Sequence, residues 1–124
     1  MPYGDAVSDA ELDIMKVLWK KGPLTSPAIF AEISNGKKRK IGTLKTLLTR
    51  LVHKGSVRCE EINSRHYLYI PVLTEDEYLR MNRRRMIDRL FDGSAKKLLL
   101  NLVKEENLTR EDLEQLIREI EDDN

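Results

Sequence analysis

The period of the hydrophobic pattern changes at Gly55. Before Gly55 the apolar residues recur at helical spacing, most clearly in the segment IGTLKTLLTRLVHKG, residues 41–55. After it, VRCEEI and HYLYI alternate with a period of two around Asn63 and Ser64, which is typical of a β-hairpin. The chain must therefore combine helices with a short antiparallel sheet. The expected buried stripe of helix 41–55 consists of Ile41, Leu44, Leu47, Leu48 and Leu51.

Helix starts are marked by three capping boxes, in which a hydroxyl precedes an acid by three residues. The pairs are Ser8 with Glu11, Thr74 with Glu77, and Thr109 with Asp112. Together with glycine and proline stops, they predict helices over about 8–21, from 25 or 26 to 36, over 41–55 and over 74–92, followed by two more apolar stripes. The predicted order is three helices, the hairpin and three further helices. The first helix is expected to bury Leu12, Met15, Leu18 and Trp19.

Three short helices followed by a hairpin, with a basic third helix, are the order of a winged helix-turn-helix domain. The expected fold is mainly α with a small β-hairpin wing, and the winged helix-turn-helix domain is predicted to span residues 1–73. In folds of this kind the second helix of the helix-turn-helix pair lies in the major groove of DNA. That role would belong to helix 41–55.

Charge is distributed unevenly, although the formal net charge is only +1. Residues 34–58 contain eight Lys and Arg and no Asp or Glu, and they include the run KKRK at 37–40. Residues 105–124 contain nine acids against Arg110 and Arg118. The nearly neutral average is therefore compatible with a polyanionic partner that binds the basic region alone.

The side chains of helix 41–55 that point away from its leucine stripe suit a DNA duplex. Threonine hydroxyls can bond phosphates or base edges, Lys and Arg can reach guanine or pair with phosphate, and no acid is present to repel the backbone. A solvated cationic face has the same composition, and a winged helix can also serve only as a protein–protein interaction module. The predicted DNA-binding residues are Thr43, Lys45, Thr46, Thr49 and Arg50 on the helix, Lys40 and Lys54 at its ends, and Arg65 at the hairpin tip.

Motifs for other classes of function are missing from the sequence. There is no Gly-rich phosphate loop, no cluster of His and carboxylates, and no nucleophile beside a base, so neither enzyme activity nor a cofactor is predicted. No apolar run approaches the roughly 18 residues of a membrane span. The single cysteine, Cys59, fits a cytoplasmic protein and leaves no cysteine cluster for a metal, while His53 and His66 are expected at the surface.

The segments IGTLKTLLTRLVHKGSV, RHYLYIP and LLLNLVKEENLTREDLEQL together resemble the BlaI/MecI penicillinase repressor family, which also includes the copper-responsive CopY repressors. The similarity starts at AELDIMKVLW and covers nearly the whole chain. It implies a winged-helix DNA-binding domain followed by a helical dimerisation domain over residues 74–124. It also implies a dimeric repressor that binds palindromic operators with TACA/TGTA-type half-sites.

The family's recognition helix matches helix 41–55 with two departures. Lys45 stands where some members have Arg, which weakens a bidentate guanine contact, and Gly42 stands where a bulkier polar residue is often found. The departures affect the operator sequence and not the mode of binding. The positions that match are Thr43, Leu44, Lys45, Thr46 and Arg50.

The last helices have narrow apolar stripes and no compact core of their own. In a monomer they would leave much apolar surface exposed, so a homodimer is predicted, with folding back onto the winged domain as the alternative. A dimer would place two recognition helices about one DNA turn or a multiple of it apart. The predicted dimerisation residues are Leu98, Leu99, Leu102, Leu113, Leu116, Ile117 and Ile120.

In the better-known members of the family, a membrane-bound sensor protease that senses β-lactam triggers cleavage of the repressor in its C-terminal region. The matching bond within LLLNLVKEE is Asn101–Leu102, where the family examples have Phe after Asn. Leu102 also fits an ordinary position in its apolar stripe. The C-terminal segment EIEDDN lacks the cysteine-rich metal motif of CopY-type members, so regulation of copper genes would need another element.

Overall fold

A computed structural model of the 124-residue chain describes residues 7–34 and 40–123. The chain divides into two compact units, Met1–Tyr78 and Leu79–Asn124. This division falls within the fourth helix, whereas the boundary predicted from the sequence precedes that helix. The helices and strands are α1 (Asp9–Lys21), β1 (Leu24–Thr25), α2 (Ser26–Ile33), α3 (Ile41–Lys54), β2 (Val57–Asn63), β3 (His66–Pro71), α4 (Glu75–Leu90), α5 (Ala95–Glu105) and α6 (Arg110–Asp122).

All three predicted capping boxes are present. At α1 the backbone N–H of Ser8 donates to Glu11 at 2.8 Å, and the N–H of Glu11 donates to the Ser8 hydroxyl at 3.2 Å. The same reciprocal bonds connect Thr74 with Glu77 and Thr109 with Asp112. Each pair satisfies two backbone donors that a helix start would otherwise leave unbonded, which explains why the three starts were readable from the sequence.

The core of the N-terminal unit contains the leucine stripe of α3 with one correction. Leu44, Leu47, Leu48 and Leu51 are buried, but Ile41 is 43% exposed because it lies in the first turn of α3. From α1, Met15 and Leu18 are buried as predicted and Ile14 joins them.

Trp19 lies at the edge of this core and is only half-buried. Its indole N–H donates to the Leu73 carbonyl at 2.8 Å, and its ring lies 5.4 Å from that of Tyr78. The sequence predicted full burial, but a large aromatic residue with a polar N–H often stays at the rim, where that group finds a partner. Trp19 thus fastens α1 to the segment that follows β3.

The sheet has three antiparallel strands in the order β1-β3-β2, whereas the sequence predicted only the hairpin. In the added strand, Leu24 pairs with Tyr69 and Thr25 pairs with Leu68. A strand of two residues is too short to show a period of two, so no sequence pattern could indicate it. Its pairing holds the start of α2 beside β3, and this brings two predicted surface segments together.

In the C-terminal unit, α5 and α6 contain no buried residue, and α4 to α6 pack little against one another. The fourth helix ends at Leu90, two residues before the predicted stop, and the backbone is left-handed at Asp92 and Gly93, with φ of 52° and 80°. The stripe predicted for dimerisation is therefore an exposed apolar surface in the single chain. None of the helices within the described residues is long and apolar enough to cross a membrane.

Candidate nucleic-acid interface

An open groove of about 510 Å³ lies in the N-terminal unit between α3, the start of α2 and β3. The outer face of α3 forms one wall, and the third strand forms the opposite one. Lys45 and Arg65 contribute positive charge, and none of the described lining residues is an acid. The lining residues are Thr25, Ser26, Pro27, Ile41, Lys45, Thr49, Arg65, His66, Tyr67 and Tyr69.

The exposed side of α3 has two rows of residues at four-residue spacing, which places the members of a row one above another on the helix. Ile41, Lys45 and Thr49 form the row that lines the groove. Gly42, Thr46 and Arg50 form a second, exposed row beside it. Five of the predicted DNA-binding residues are on α3 outside the leucine stripe, and all five are exposed: Thr43, Lys45, Thr46, Thr49 and Arg50.

Two of the threonine hydroxyls of α3 already donate within the helix. Thr46 donates to the carbonyl of Gly42 at 3.1 Å, and Thr49 donates to the carbonyl of Lys45 at 2.9 Å. With their protons committed in this way, these hydroxyls can accept from a base amino group, and their methyl groups can contact thymine. They cannot donate to a phosphate without changing rotamer, which narrows the role expected from the sequence.

The side chain of Asn63 stabilises the turn at the tip of the wing through hydrogen bonds. Its side-chain oxygen accepts from the Arg65 backbone N–H at 3.2 Å and lies 2.8 Å from Nδ1 of His66. These contacts occupy the amide oxygen of Asn63 inside the turn and fix the His66 ring beside the groove. Arg65, a predicted DNA-binding residue, is exposed at the same tip and lines the groove.

Tyr67 and Tyr69 form the wall of the groove on β3. Cys59 is the cross-strand partner of Tyr69 and is exposed on β2. Burial raises the pKa of the Tyr69 hydroxyl, and neighbouring Cys59 and Tyr67 raise it further. The phenol of Tyr69 therefore stays neutral in the groove wall, with Cys59 as a side-chain hydrogen-bond partner.

Lys54 was expected at the DNA, and the structure directs its ammonium to a carboxylate instead. Its Nζ lies 2.6 Å from Oε1 of Glu11, a residue that is only 1% exposed. Burial by itself raises the pKa of Glu11, but hydrogen bonds from Lys54 and Ser8 outweigh it and leave the pKa below its ordinary value. A lysine held by a buried carboxylate is a poor candidate for neutralising a phosphate.

The basic segment before α3 is only partly described. Lys40 is exposed and is the N-terminal cap residue of α3, without a side-chain capping bond. Its carbonyl accepts from the N–H groups of Thr43 and Leu44 at 3.1 and 3.2 Å. The other members of KKRK, residues 37–39, and the predicted stop of α2 at 35–36 lie outside the described residues.

The remaining predicted site residues lie in α5 and α6. Leu99, Leu102, Leu116, Ile117 and Ile120 are exposed large apolar side chains, whereas Leu98 and Leu113 are half-buried. Asn101 and Leu102, the residues of the predicted cleavage bond, both lie within α5. Across the residues that the structure describes, no group of three or more His, Cys, Asp or Glu could hold a metal ion.

Several groove residues had not been predicted from the sequence. Thr25, Ser26 and Pro27 join the groove because β1 pairs with β3, and a pairing of two residues left no sequence signal. The spaced tyrosines of RHYLYIP were the only indication of the β3 wall. Ile41 was assigned to the core by its spacing, because the sequence pattern alone cannot show that the core ends one turn below it.

Comparison with known proteins agrees with this geometry. The family model described as penicillinase repressor matches residues 7–122. The chain belongs to the penicillinase repressor family. This confirms the resemblance seen in the sequence.

Two curated members show how far the similarity to the penicillinase repressor family extends. The penicillinase repressor of Bacillus licheniformis is 28% identical over 116 residues, which are 94% of this chain and 90% of the relative. That of Staphylococcus aureus is 31% identical over 110 residues, which are 89% and 86% of the two chains. The solution structure of the DNA-binding domain of the repressor BlaI is also similar, with a TM-score of 0.53 and 33% sequence identity. The match covers 58% of this chain and 87% of the BlaI domain.

Proposed function

We propose that this chain is a DNA-binding transcriptional repressor that inserts α3 into the major groove. The observation that carries the proposal is the pair of exposed rows on α3 beside a groove lined by Lys45 and Arg65 and by no acid among its described residues. Membership of the penicillinase repressor family and the likeness to the BlaI DNA-binding domain support it. A transcriptional repressor acts by occupying DNA, so the proposal includes no catalytic step.

In this mode the cations and the threonines of the two α3 rows have different roles. A major groove about 12 Å wide admits one α-helix, so both rows can approach base edges or the flanking phosphates. Lys45 and Arg50 supply charge-assisted donors, whereas Thr46 and Thr49 supply acceptors and methyl groups. Arg65 and His66 line the groove on the wing, which supports a contact with the DNA backbone there.

The energetics of the C-terminal unit support a homodimer. Helices as short as α5 and α6, with 11 and 13 residues, are marginal in isolation, and most helical stability in proteins comes from packing an apolar face. Neither helix buries a residue within the single chain. We infer that a second copy covers the exposed stripe, and that two copies present two α3 helices to a palindromic operator.

A shallow cavity beside the stripe supports this partner. It has a volume of about 320 Å³ and is bordered by Leu108, Asp112, Gln115, Leu116 and Glu119. Its apolar members, Leu108 and Leu116, stand at the edge of the acidic surface of α6. An apolar side chain from a second copy would remove both from water, whereas a solvated monomer would leave them exposed.

The proposal is tested by measuring binding to a random-sequence duplex over a range of salt concentrations. A repressor should bind with log K falling by about 0.9 per log unit of salt for each phosphate contacted, and repeated selection should enrich a palindrome. A winged helix that serves only as a protein–protein interaction module would show no such slope. The absence of duplex binding at low salt would refute the proposal.

The release of the operator is a separate proposal. By analogy with the family, a sensor protease would act on Asn101–Leu102, and copper-gene regulation is the alternative that needs another metal-sensing element, since Cys59 is the single cysteine of the chain. Exposure of both Asn101 and Leu102 in the single chain is compatible with cleavage, while their position inside α5 opposes it. A cytoplasmic location fits a repressor that must reach DNA.

A further inference from the structure

A buried ion pair joins the end of α3 to the start of α1. Lys54 is the last residue of α3, and its side chain is 17% exposed. Its ammonium donates to Oε1 of Glu11 at 2.6 Å, and the backbone N–H of Ser8 donates to the same oxygen at 2.8 Å. The glutamate that caps α1 therefore also holds the proposed recognition helix.

Buried ion pairs contribute little net stability, because removing two charges from water costs about as much as their attraction returns. In some proteins such pairs are kept for the geometry that they impose. The leucine stripe of α3 packs without directional preference, so by itself it permits small rotations and tilts of the helix. A hydrogen-bonded ion pair has a fixed direction and removes that freedom.

Among the described residues, the C-terminal end of α3 is connected to β2 and to the segment after β3 by backbone hydrogen bonds. After Gly55, the Ser56 N–H donates to the carbonyl of Leu51 at 3.0 Å, and the Ser56 carbonyl accepts from Val72 and Leu73. The helix is thus fixed beside Lys54, and its exposed rows extend away from that anchor.

The geometry of a helix makes the anchor effective. With a rise of about 1.5 Å per residue, the first turn of α3 lies roughly 20 Å from Lys54, so a tilt of about 3° at the anchor moves that turn by about 1 Å. Hydrogen bonds to base edges tolerate a distance range of only about 0.5 Å. A small error in orientation would therefore remove base contacts while leaving phosphate contacts, which adapt through long side chains.

We propose that Glu11 and Lys54 are positioning residues that set the orientation of α3 for sequence-specific binding, and that Lys54 is not itself a DNA contact. This inference rests on the proposed function. In this role the buried pair raises the ratio of the affinity for the operator to the affinity for random DNA. Stability and general affinity would depend on other residues.

The decisive variant is the double substitution Glu11→Gln/Lys54→Met in the full-length chain. It removes both charges together and leaves no buried charge unpaired, so thermal unfolding should stay near that of the wild type. We expect affinity for a duplex selected by the wild-type protein to fall about tenfold, the loss expected when one base contact is weakened. Affinity for a scrambled duplex, and its salt slope, should not change.

A matched control is available in the pair Lys21–Glu32, which also joins two helices of the N-terminal unit but is exposed, with its charged atoms 4.0 Å apart. The double substitution Glu32→Gln/Lys21→Met should leave the ratio of selected to scrambled affinity unchanged. Single substitutions separate the two roles of Lys54. If Lys54 contacted a phosphate, Lys54→Met would lower the salt slope by about 0.9, and Glu11→Gln would leave binding unchanged or strengthen it.

The outcomes distinguish this inference from the proposed function. A wild-type chain that binds no duplex overturns the proposed function, and the inference falls with it. A wild-type chain that binds its selected duplex, with a double variant that binds it equally well, overturns the inference alone. A double variant that fails to fold also overturns it, because the pair would then serve stability and not orientation.

Discussion

Among single residues, Arg50 is an exposed cation of α3 that suits the proposed contact with DNA. Arg50 is exposed in the second row of α3, beside Gly42 and Thr46, and its side chain can reach either a guanine edge or a phosphate. We expect Arg50→Ala to weaken operator binding by about 1–3 kcal/mol, the usual cost of a charge-assisted hydrogen bond. Fluorescence anisotropy with a labelled duplex measures this loss. Arg118→Ala in acidic α6 is the control, and equal losses in both variants would remove Arg50 from the interface.

The buried carboxylate of Glu11 makes stability depend on pH. Its folded-state pKa lies below the ordinary value of 4.5, so the folded chain binds the proton less readily than the unfolded chain does. The stabilisation is therefore complete above that ordinary value and is lost as the pH falls through the lowered pKa. Urea unfolding of the wild type and Glu11→Gln should differ most near neutral pH and converge in acid. A difference that stays constant during acidification would contradict this.

At the level of secondary-structure elements, the start of α3 contains a glycine that the fold does not require. A Cβ added at Gly42 would meet no atom within 4 Å, and its φ is not in the left-handed region. Ala restricts the unfolded chain more and favours the helix, so Gly42→Ala should raise the free energy of unfolding by up to about 1 kcal/mol. Urea denaturation measures the change.

Gly22 provides a matched control for that substitution. Its surroundings are equally open, but its φ of 86° lies where a side chain is strained. Gly22→Ala should therefore destabilise the chain, opposite in sign to Gly42→Ala. If both substitutions destabilised, the conformation of Gly42 would be needed for a reason other than local backbone geometry.

Elements that depend on local chemistry could be predicted from the sequence. The capping boxes of α1, α4 and α6 give their starts because donors and acceptors lie within one turn of each other. The strand β1 could not be predicted, since two residues become a strand only through pairing with β3, more than forty residues later. Local signals thus define the helices, while the sheet depends on tertiary contacts.

The residues of the candidate site also separate into those that a local sequence pattern indicates and those that depend on tertiary contacts. The charge and spacing of α3 indicated the exposed residues outside the leucine stripe, because helical periodicity determines which side chains share a face. These are Thr43, Lys45, Thr46, Thr49 and Arg50. The same reasoning assigned Lys54 to DNA, since no sequence pattern shows that Glu11 lies beside it in the fold. A lysine that is free at the surface and a lysine that pairs with a buried carboxylate look identical in a sequence when the carboxylate lies 43 residues away, as Glu11 does from Lys54.

For the whole molecule, the exposed stripe of the C-terminal unit should decide the oligomeric state. Leu116 is 47% exposed and borders the apolar cavity of α6. Leu116→Asp would place a charge in the proposed interface, where desolvation without a partner is strongly unfavourable. We expect a monomer with an intact N-terminal unit, seen by light scattering and circular dichroism. Arg118→Asp introduces the same side chain on α6 but outside the residues that line this cavity, and it should remain dimeric. An unchanged dimer for Leu116→Asp would reject this interface.

Cleavage at Asn101–Leu102 would act through the same dimer. The Leu102 carbonyl accepts from the Glu106 N–H at 2.9 Å, so the bond lies in hydrogen-bonded helical backbone, which proteases cut only after local opening. A cut would separate α6 from the DNA-binding unit without altering α3. Each unit would then bind its half-site alone and lose the effective concentration that the partner supplies.

A chain ending at Asn101 tests this consequence directly. It should bind a palindrome no more tightly than a single half-site, while the full chain should prefer the palindrome by at least about a hundredfold. A chain ending at Asp122 keeps all of α6 and serves as the control. If the chain ending at Asn101 kept the full preference, α6 would not be needed for dimeric binding, and cleavage at this bond could not release the operator. If it lost the preference, mass spectrometry of the repressor from induced cells would then show whether the native host makes this cut.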